Sequence, residues 1–154
     1  LALPEARLDA VRCGVALYGL SPFGRDPAEH GLGPVLSWRG YVAQAKTLPA
    51  GGSTGYGRRF VAGGETRIGL VPVGYADGFR RGLTGTEVLV AGTRRRVLGT
   101  VSMDSFAVEP GDEPEGAPVT LVGDGLLVEE HARHLGTINY ELTTGIVSDP
   151  RRAE

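Results

Sequence analysis

The chain has 154 residues, with 16 Lys+Arg against 18 Asp+Glu and a formal net charge of −2. That length fits one domain, or one small domain with part of another, and buries a core without staples. A near-neutral charge lacks the basic face of a general nucleic-acid binder. The single cysteine, Cys13, excludes an internal disulfide framework and a cysteine-built zinc site, and it suits a reducing cytoplasm. No apolar run approaches the ~20 residues that cross a bilayer. The start, Leu1-Ala2-Leu3-Pro4-Glu5, has no methionine and no basic residue ahead of an apolar stretch, so it reads as a processed or excised chain rather than a signal peptide.

In chain order, residues 11–20 read as a buried strand ending in a turn. Residues 21–34 are rich in Pro, Gly and charge and read as a linker, so a boundary divides 1–34 from 35–154. Leu36, Trp38 and Val42 alternate with Ser37, Arg39 and Tyr41, and Pro49-Ala50-Gly51-Gly52 breaks that run. Residues 67–73 form a second strand. Residues 87–90 and 94–98 form a hairpin around a short glycine-containing loop, and 105–108 and 118–122 add further strands. Val128, Ala132 and Leu135 share one face of a helix that Gly136 ends, and 137–142 reads as a short capped turn. Short strands between frequent turns predict a mainly β domain, a barrel or sandwich, with short C-terminal helices.

Four segments carry more glycine and polar content than a plain β-domain needs. They are Gly55-Tyr56-Gly57-Arg58-Arg59, Gly74-Tyr75-Ala76-Asp77-Gly78, Val101-Ser102-Met103-Asp104 and Asn139-Tyr140-Glu141. Glycine lets a backbone turn sharply or approach a ligand, and a loop tyrosine then presents its hydroxyl. Any one of these alone reads as a structural corner, with Met103 as core filling. His131 and His134 read as residues of a surface helix rather than metal ligands, and no metal site is expected. Arg94-Arg95-Arg96 reads as a protected edge strand.

Together with Arg12-Cys13-Gly14-Val15, Tyr18-Gly19-Leu20 and Thr137-Ile138-Asn139-Tyr140-Glu141, these segments resemble the C-terminal domain of the alanine racemases, fold type III enzymes that use pyridoxal phosphate. The resemblance covers nearly the whole chain. It implies a β-barrel-like domain, preceded at 1–34 by the last strand of a (β/α)₈ barrel and a linker. The barrel, with its Schiff-base lysine, lies outside this chain. It also implies a bacterial cytoplasmic homodimer acting on a small amino acid, with no nucleic acid and no membrane as partner. Such an enzyme interconverts L- and D-alanine and supplies D-alanine for peptidoglycan.

By the same resemblance, Arg12 faces the pyridine nitrogen of the cofactor, and the amides of Gly14 and Val15 with the Tyr140 hydroxyl hold its phosphate. Tyr56 is the catalytic tyrosine, which works on one face of the substrate from the partner subunit while lysine works on the other. Met103 binds the substrate carboxylate through its N–H, Asp104 shapes the adjoining wall, Tyr75 narrows the access corridor, and Arg81 lines its outer part. A free phenol titrates near ~10 and is a poor base at neutral pH, so Tyr56 needs a partner to act. There are departures: Thr100 stands where relatives often have a basic residue, and the tail at 148–152 only loosely matches. The single lysine, Lys46, reads as a surface strand residue. The chain alone is therefore expected to be inactive. The alternatives are a racemase of this family for serine or other amino acids, and a non-catalytic β-barrel interaction module.

Overall fold

A computed structural model describes residues 3–109, 111–123 and 125–147. The loosely matching tail at 148–152 lies outside them.

The strands predicted by alternation form, and they join in one antiparallel sheet. They are β1 (Trp38–Tyr41), β2 (Gln44–Leu48), β5 (Thr66–Val71), β6 (Glu87–Val90), β7 (Thr93–Leu98), β8 (Phe106–Val108) and β9 (Pro118–Val122). Two shorter strands, β3 (Ser53–Thr54) and β4 (Phe60–Val61), pair with each other apart from it. The large sheet runs β1-β9-β6-β7-β8-β5-β2. Its two ends are successive stretches of one chain, separated by Val42 and Ala43. Val42 N–H donates to Ala117 O at 2.9 Å and Ala43 N–H to Leu70 O at 2.8 Å, so neighbouring residues bond to opposite sides. The chain changes partner at that point, so the sheet curls back on itself in a barrel-like form with β1 and β2 at its two ends. Opposite, β7 does the same: residues 93–96 pair with β6 and 97–98 with β8.

The inward residues are mostly β-branched, the side chains that best fill a pleated surface. Val42, Val71, Val88, Val90, Val97, Val101 and Leu121 are buried inside with Phe79 and Phe106, whose rings stack at 4.6 Å. Each such burial contributes about 1.5–3 kcal/mol relative to exposure.

Helix α1 (Val128–Leu135) begins with the Glu130 carboxylate accepting from Leu127 N–H at 3.0 Å. It ends as predicted at Gly136, whose φ of 68° lets its backbone close on the last turn. The expected short turn at 137–142 is a fuller helix, α2 (Asn139–Gly145). Val128, Ala132 and Leu142 of these helices pack with Val15, Leu20 and Val122.

Three expectations are corrected. Residues 11–14 join no strand ladder, and Val15–Tyr18 is a 3-10 turn with Val11 and Leu17 exposed. An apolar run specifies extended chain, but a strand needs a flanking partner, and none lies beside these residues among those described. Arg94, Arg95 and Arg96 lie on β7, an inner strand rather than an edge. Arg94 pairs with Glu87 and Glu130 and Arg95 with Glu113, so their charges are used in bridging elements. His131 is not on the surface. It lies on the apolar face of α1, 2% exposed, while His134 is exposed.

Candidate active site

Tyr56 sits at the tip of the β3–β4 hairpin, which sequence alternation did not reveal because each strand is two residues long. Gly55 and Gly57 have φ of 75° and 72°, conformations open to glycine, and they turn the chain so that Tyr56 is 73% exposed. The hairpin base is keyed into the barrel wall by two glycines. A Cβ on Gly55 would lie 2.8 Å from Thr100 N, and one on Gly99 would lie 2.6 Å from Thr54 O. Thr100 then donates its hydroxyl to Tyr56 O at 2.8 Å.

Tyr75, Met103 and Asp104 come from two turns locked together. Tyr75 N–H donates to Ser102 O at 3.0 Å and Ala76 N–H to Met103 O at 2.9 Å. A Cβ on Gly74 would overlap the Met103 carbonyl, so this contact demands glycine there. The Asp77 carboxylate accepts from Gly74 N–H at 2.9 Å and closes the first turn. In the second, the Ser102 hydroxyl accepts from Ser105 N–H at 3.2 Å, and Asp104 accepts from the hydroxyls of Ser102 and Ser105, both at 3.3 Å. Met103 is thereby held at the tip, 59% exposed rather than in the core, and its N–H has no partner among the described residues. An open cleft of about 280 Å³ is lined by Tyr56, Thr100, Ser102 and Ser105 together with Leu70 and Phe106. The structure therefore brings Tyr56 and the Met103 turn to one cleft.

Arg12, Gly14, Val15 and Tyr140 form a second group. Val15 opens the 3-10 turn, so the first amides of that turn have no partner within it. The Tyr140 hydroxyl lies beside them: a Cβ on Gly14 would be 3.8 Å from its oxygen. Arg12 is exposed two residues upstream. Unpaired amides beside a phenol hydroxyl are donors suited to an anionic group such as a phosphate. No hydrogen bond or shared cleft links this group to Tyr56 among the described residues. Lys46 lies exposed on β2 and belongs to neither group.

Sequence reasoning missed what anchors this second group. Glu129, 0% exposed, accepts from Ser21 N–H at 3.0 Å and from the Asn139 amide at 2.9 Å, and Asn139 also donates to Ser21 O at 2.8 Å. One carboxylate thus ties the 15–21 segment to both helices, one residue from Tyr140. A signal was present: Glu129 and Asn139 are polar residues beside apolar helix positions, and a buried polar group needs a partner. Elsewhere, Arg95 bonded to Glu113 holds that carboxyl below the usual range. Burial opposes the same shift at Glu130, but Arg94 and the Leu127 amide outweigh it. No cluster of three metal-ligating side chains occurs among the described residues, and none of their helices is long and apolar enough to cross a membrane.

Residues 35–153 match the family described as alanine racemase, C-terminal domain. The chain is 44% identical to an alanine racemase of Pseudomonas taetrolens over 98% of its own length, which is 44% of that protein. It superposes on the alanine racemase from Streptomyces coelicolor with a TM-score of 0.88 and 42% identity, covering 95% of this chain and 40% of that one. A structure of alanine racemase from Bartonella henselae with covalently bound pyridoxal phosphate aligns at a TM-score of 0.82 and 31% identity, over 91% of this chain and 40% of that one. This chain belongs to the alanine racemase C-terminal domain family. It spans less than half the length of the curated relatives that it matches.

Proposed function

We propose that this chain supplies the tyrosine half-site of a pyridoxal phosphate-dependent racemase that interconverts L- and D-alanine. The observation that carries this reading is the presentation of Tyr56 on a glycine-keyed hairpin at a cleft that Ser102 and Ser105, the residues flanking Met103 and Asp104, also line. A racemase must handle a proton at each face of the substrate's α-carbon. Tyr56 holds and moves that proton at its Oη on one face, and a lysine outside these 154 residues serves the other. The Met103 N–H orients the substrate carboxylate, Asp104 braces that turn, Tyr75 narrows the approach, and Arg81 lies farther out.

Pyridoxal phosphate, when bound, supplies the electron sink for the α-carbanion. Gly14, Val15 and Tyr140 would hold its phosphate. Arg12, which cannot give up its proton at neutral pH, would leave the pyridine nitrogen unprotonated and so restrain that sink. The separation of the Arg12–Tyr140 group from Tyr56 supports a site shared between two subunits, each contributing one group. On this reading the 1–34 segment closes a preceding barrel, residues 35–154 form the second domain, and the intact protein is a cytoplasmic bacterial homodimer making D-alanine for peptidoglycan.

The test is Tyr56→Phe in the intact protein. Racemisation of L-alanine, followed by polarimetry, is expected to fall by about 10²-fold or more for loss of a general acid–base group. Unchanged racemisation would exclude Tyr56 as a proton carrier. Running L-serine and other L-amino acids in the same assay assigns the substrate, and the 154-residue chain alone is expected to show no turnover.

A further inference from the structure

We propose that Thr100 is a positioning residue for Tyr56, setting the reach of the Tyr56 hydroxyl across the cleft through a hydrogen bond to the Tyr56 backbone. The proposal rests on the reading of Tyr56 as the group that moves the proton on one face of the substrate.

The hairpin that carries Tyr56 is held weakly by its own strands. Only Ser53↔Val61 and Thr54↔Phe60 pair in β3 and β4. Below them, Gly51 N–H donates to Ala62 O at 2.7 Å and Ala62 N–H to Gly52 O at 2.8 Å. Arg58 reaches back only to Gly51 O, at 3.4 Å. Those bonds fix the base of the hairpin and leave its tip to other contacts. Among the described residues, the bond of 2.8 Å from Thr100 Oγ1 to Tyr56 O is the one that joins Tyr56 itself to the barrel.

Thr100 suits that task. It is 3% exposed, lies two residues after the end of β7, and precedes Val101, which is buried in the core. A β-branched side chain in such a place has little rotamer freedom, so its hydroxyl is a fixed reference point. The close fits of Gly55 on Thr100 and of Gly99 on Thr54 set the distance between the two backbones, and the hydroxyl bond sets the rotation of the tip about that contact. The buried hydroxyl of Thr100 therefore has a use in this fold.

Proton transfer is steep in distance, and a displacement of about 1 Å can cost on the order of 10²-fold in rate. Thr100→Val keeps the shape and removes the donor; Thr100→Ala removes it without any risk of crowding; Thr100→Ser keeps it. The experiment measures racemisation by the intact protein from each enantiomer of α-deuterated alanine. Loss of the bond should lower kcat about tenfold with KM within about twofold, as expected when orientation rather than binding is lost. The primary isotope effect should rise from the one enantiomer whose proton Tyr56 removes and not rise from the other, with Thr100→Ser behaving as the parent. Because the two enantiomers are equal in free energy, kcat/KM must fall equally in both directions, so the isotope effects carry the distinction, and a merely structural role for Thr100 would move both of them together. Equal changes in the isotope effect from both enantiomers, or no change in kcat in Thr100→Val and Thr100→Ala, would overturn the proposal. Tyr56→Phe run beside them separates the two ideas. If Tyr56→Phe abolishes racemisation while both hydroxyl-free variants are silent, only the positioning role fails; if Tyr56→Phe is itself silent, the reading of Tyr56 fails and the proposal with it.

Discussion

His131 is held by two hydrogen bonds inside the protein. Its Nε2–H donates to Leu121 O at 2.7 Å, and its Nδ1 accepts from the Thr86 hydroxyl at 3.3 Å. The neutral ring satisfies both partners. Burial, the largest cause, pushes its pKa below the ordinary 6.5, against the Leu121 carbonyl and Glu130, which favour the charged form. His134 and Arg94 add to the lowering. The unfolded chain therefore binds the proton first as pH falls. The stabilisation is complete above pH 6.5 and is lost as pH falls through 6.5 toward the lower folded value. Thermal unfolding midpoints are expected to drop between about pH 7 and pH 5, and His131→Gln should flatten that slope. A parallel slope in both proteins would refute the assignment. Glu113 and Glu130, both held below 4.5, add their own loss only in more acidic solution. The burial of His131 was legible in part: position 131 lies three after Val128 and four before Leu135, on the apolar stripe itself.

At the scale of elements, the β6–β7 hairpin shows a local rule that is only half obeyed. Its two-residue loop has φ of 47° at Ala91 and 83° at Gly92, the pattern of a type I′ turn. Glycine accepts that conformation freely; alanine pays about 1–2 kcal/mol for it. Ala91→Asn gives the favoured Asn-Gly pair and is expected to raise unfolding stability by about 0.5–1 kcal/mol. A urea midpoint that rises at unchanged slope would bear this out, and a fall would show that the alanine is compensated elsewhere. The sequence announced this hairpin because alternation and glycine sit together. The β3–β4 hairpin went unannounced because two-residue strands carry no period, although the flanking glycines of Tyr56 marked the tip.

Across the whole molecule, Glu129 is the junction between the N-terminal segment and the helices. Glu129→Ala would strand the Ser21 N–H and weaken the hold on Asn139, at about 1–3 kcal/mol for each buried group left unsatisfied. Destabilisation of about 3 kcal/mol is expected, with protease cleavage appearing first in 15–34. Glu129→Gln, which keeps an acceptor oxygen, should be milder. If Glu129→Ala melts with no early cleavage there, the segment is anchored by Val15 and Leu20 rather than by the carboxylate. The sequence by itself determined the strands of the large sheet, the helix that stops at Gly136, the mainly β class and the tyrosine-bearing loops. Each of these depends on backbone preference and apolar spacing within a few residues. Only the tertiary structure decided how the sheet closes through Val42 and Ala43, how His131 and Glu129 come to be buried, and which side chain holds Tyr56. Thr100 lies 44 residues from Tyr56 and Ser21 lies 108 from Glu129. Partners at such separations are selected by three-dimensional packing and by the cost of an unpaired buried polar group, and no local pattern records them.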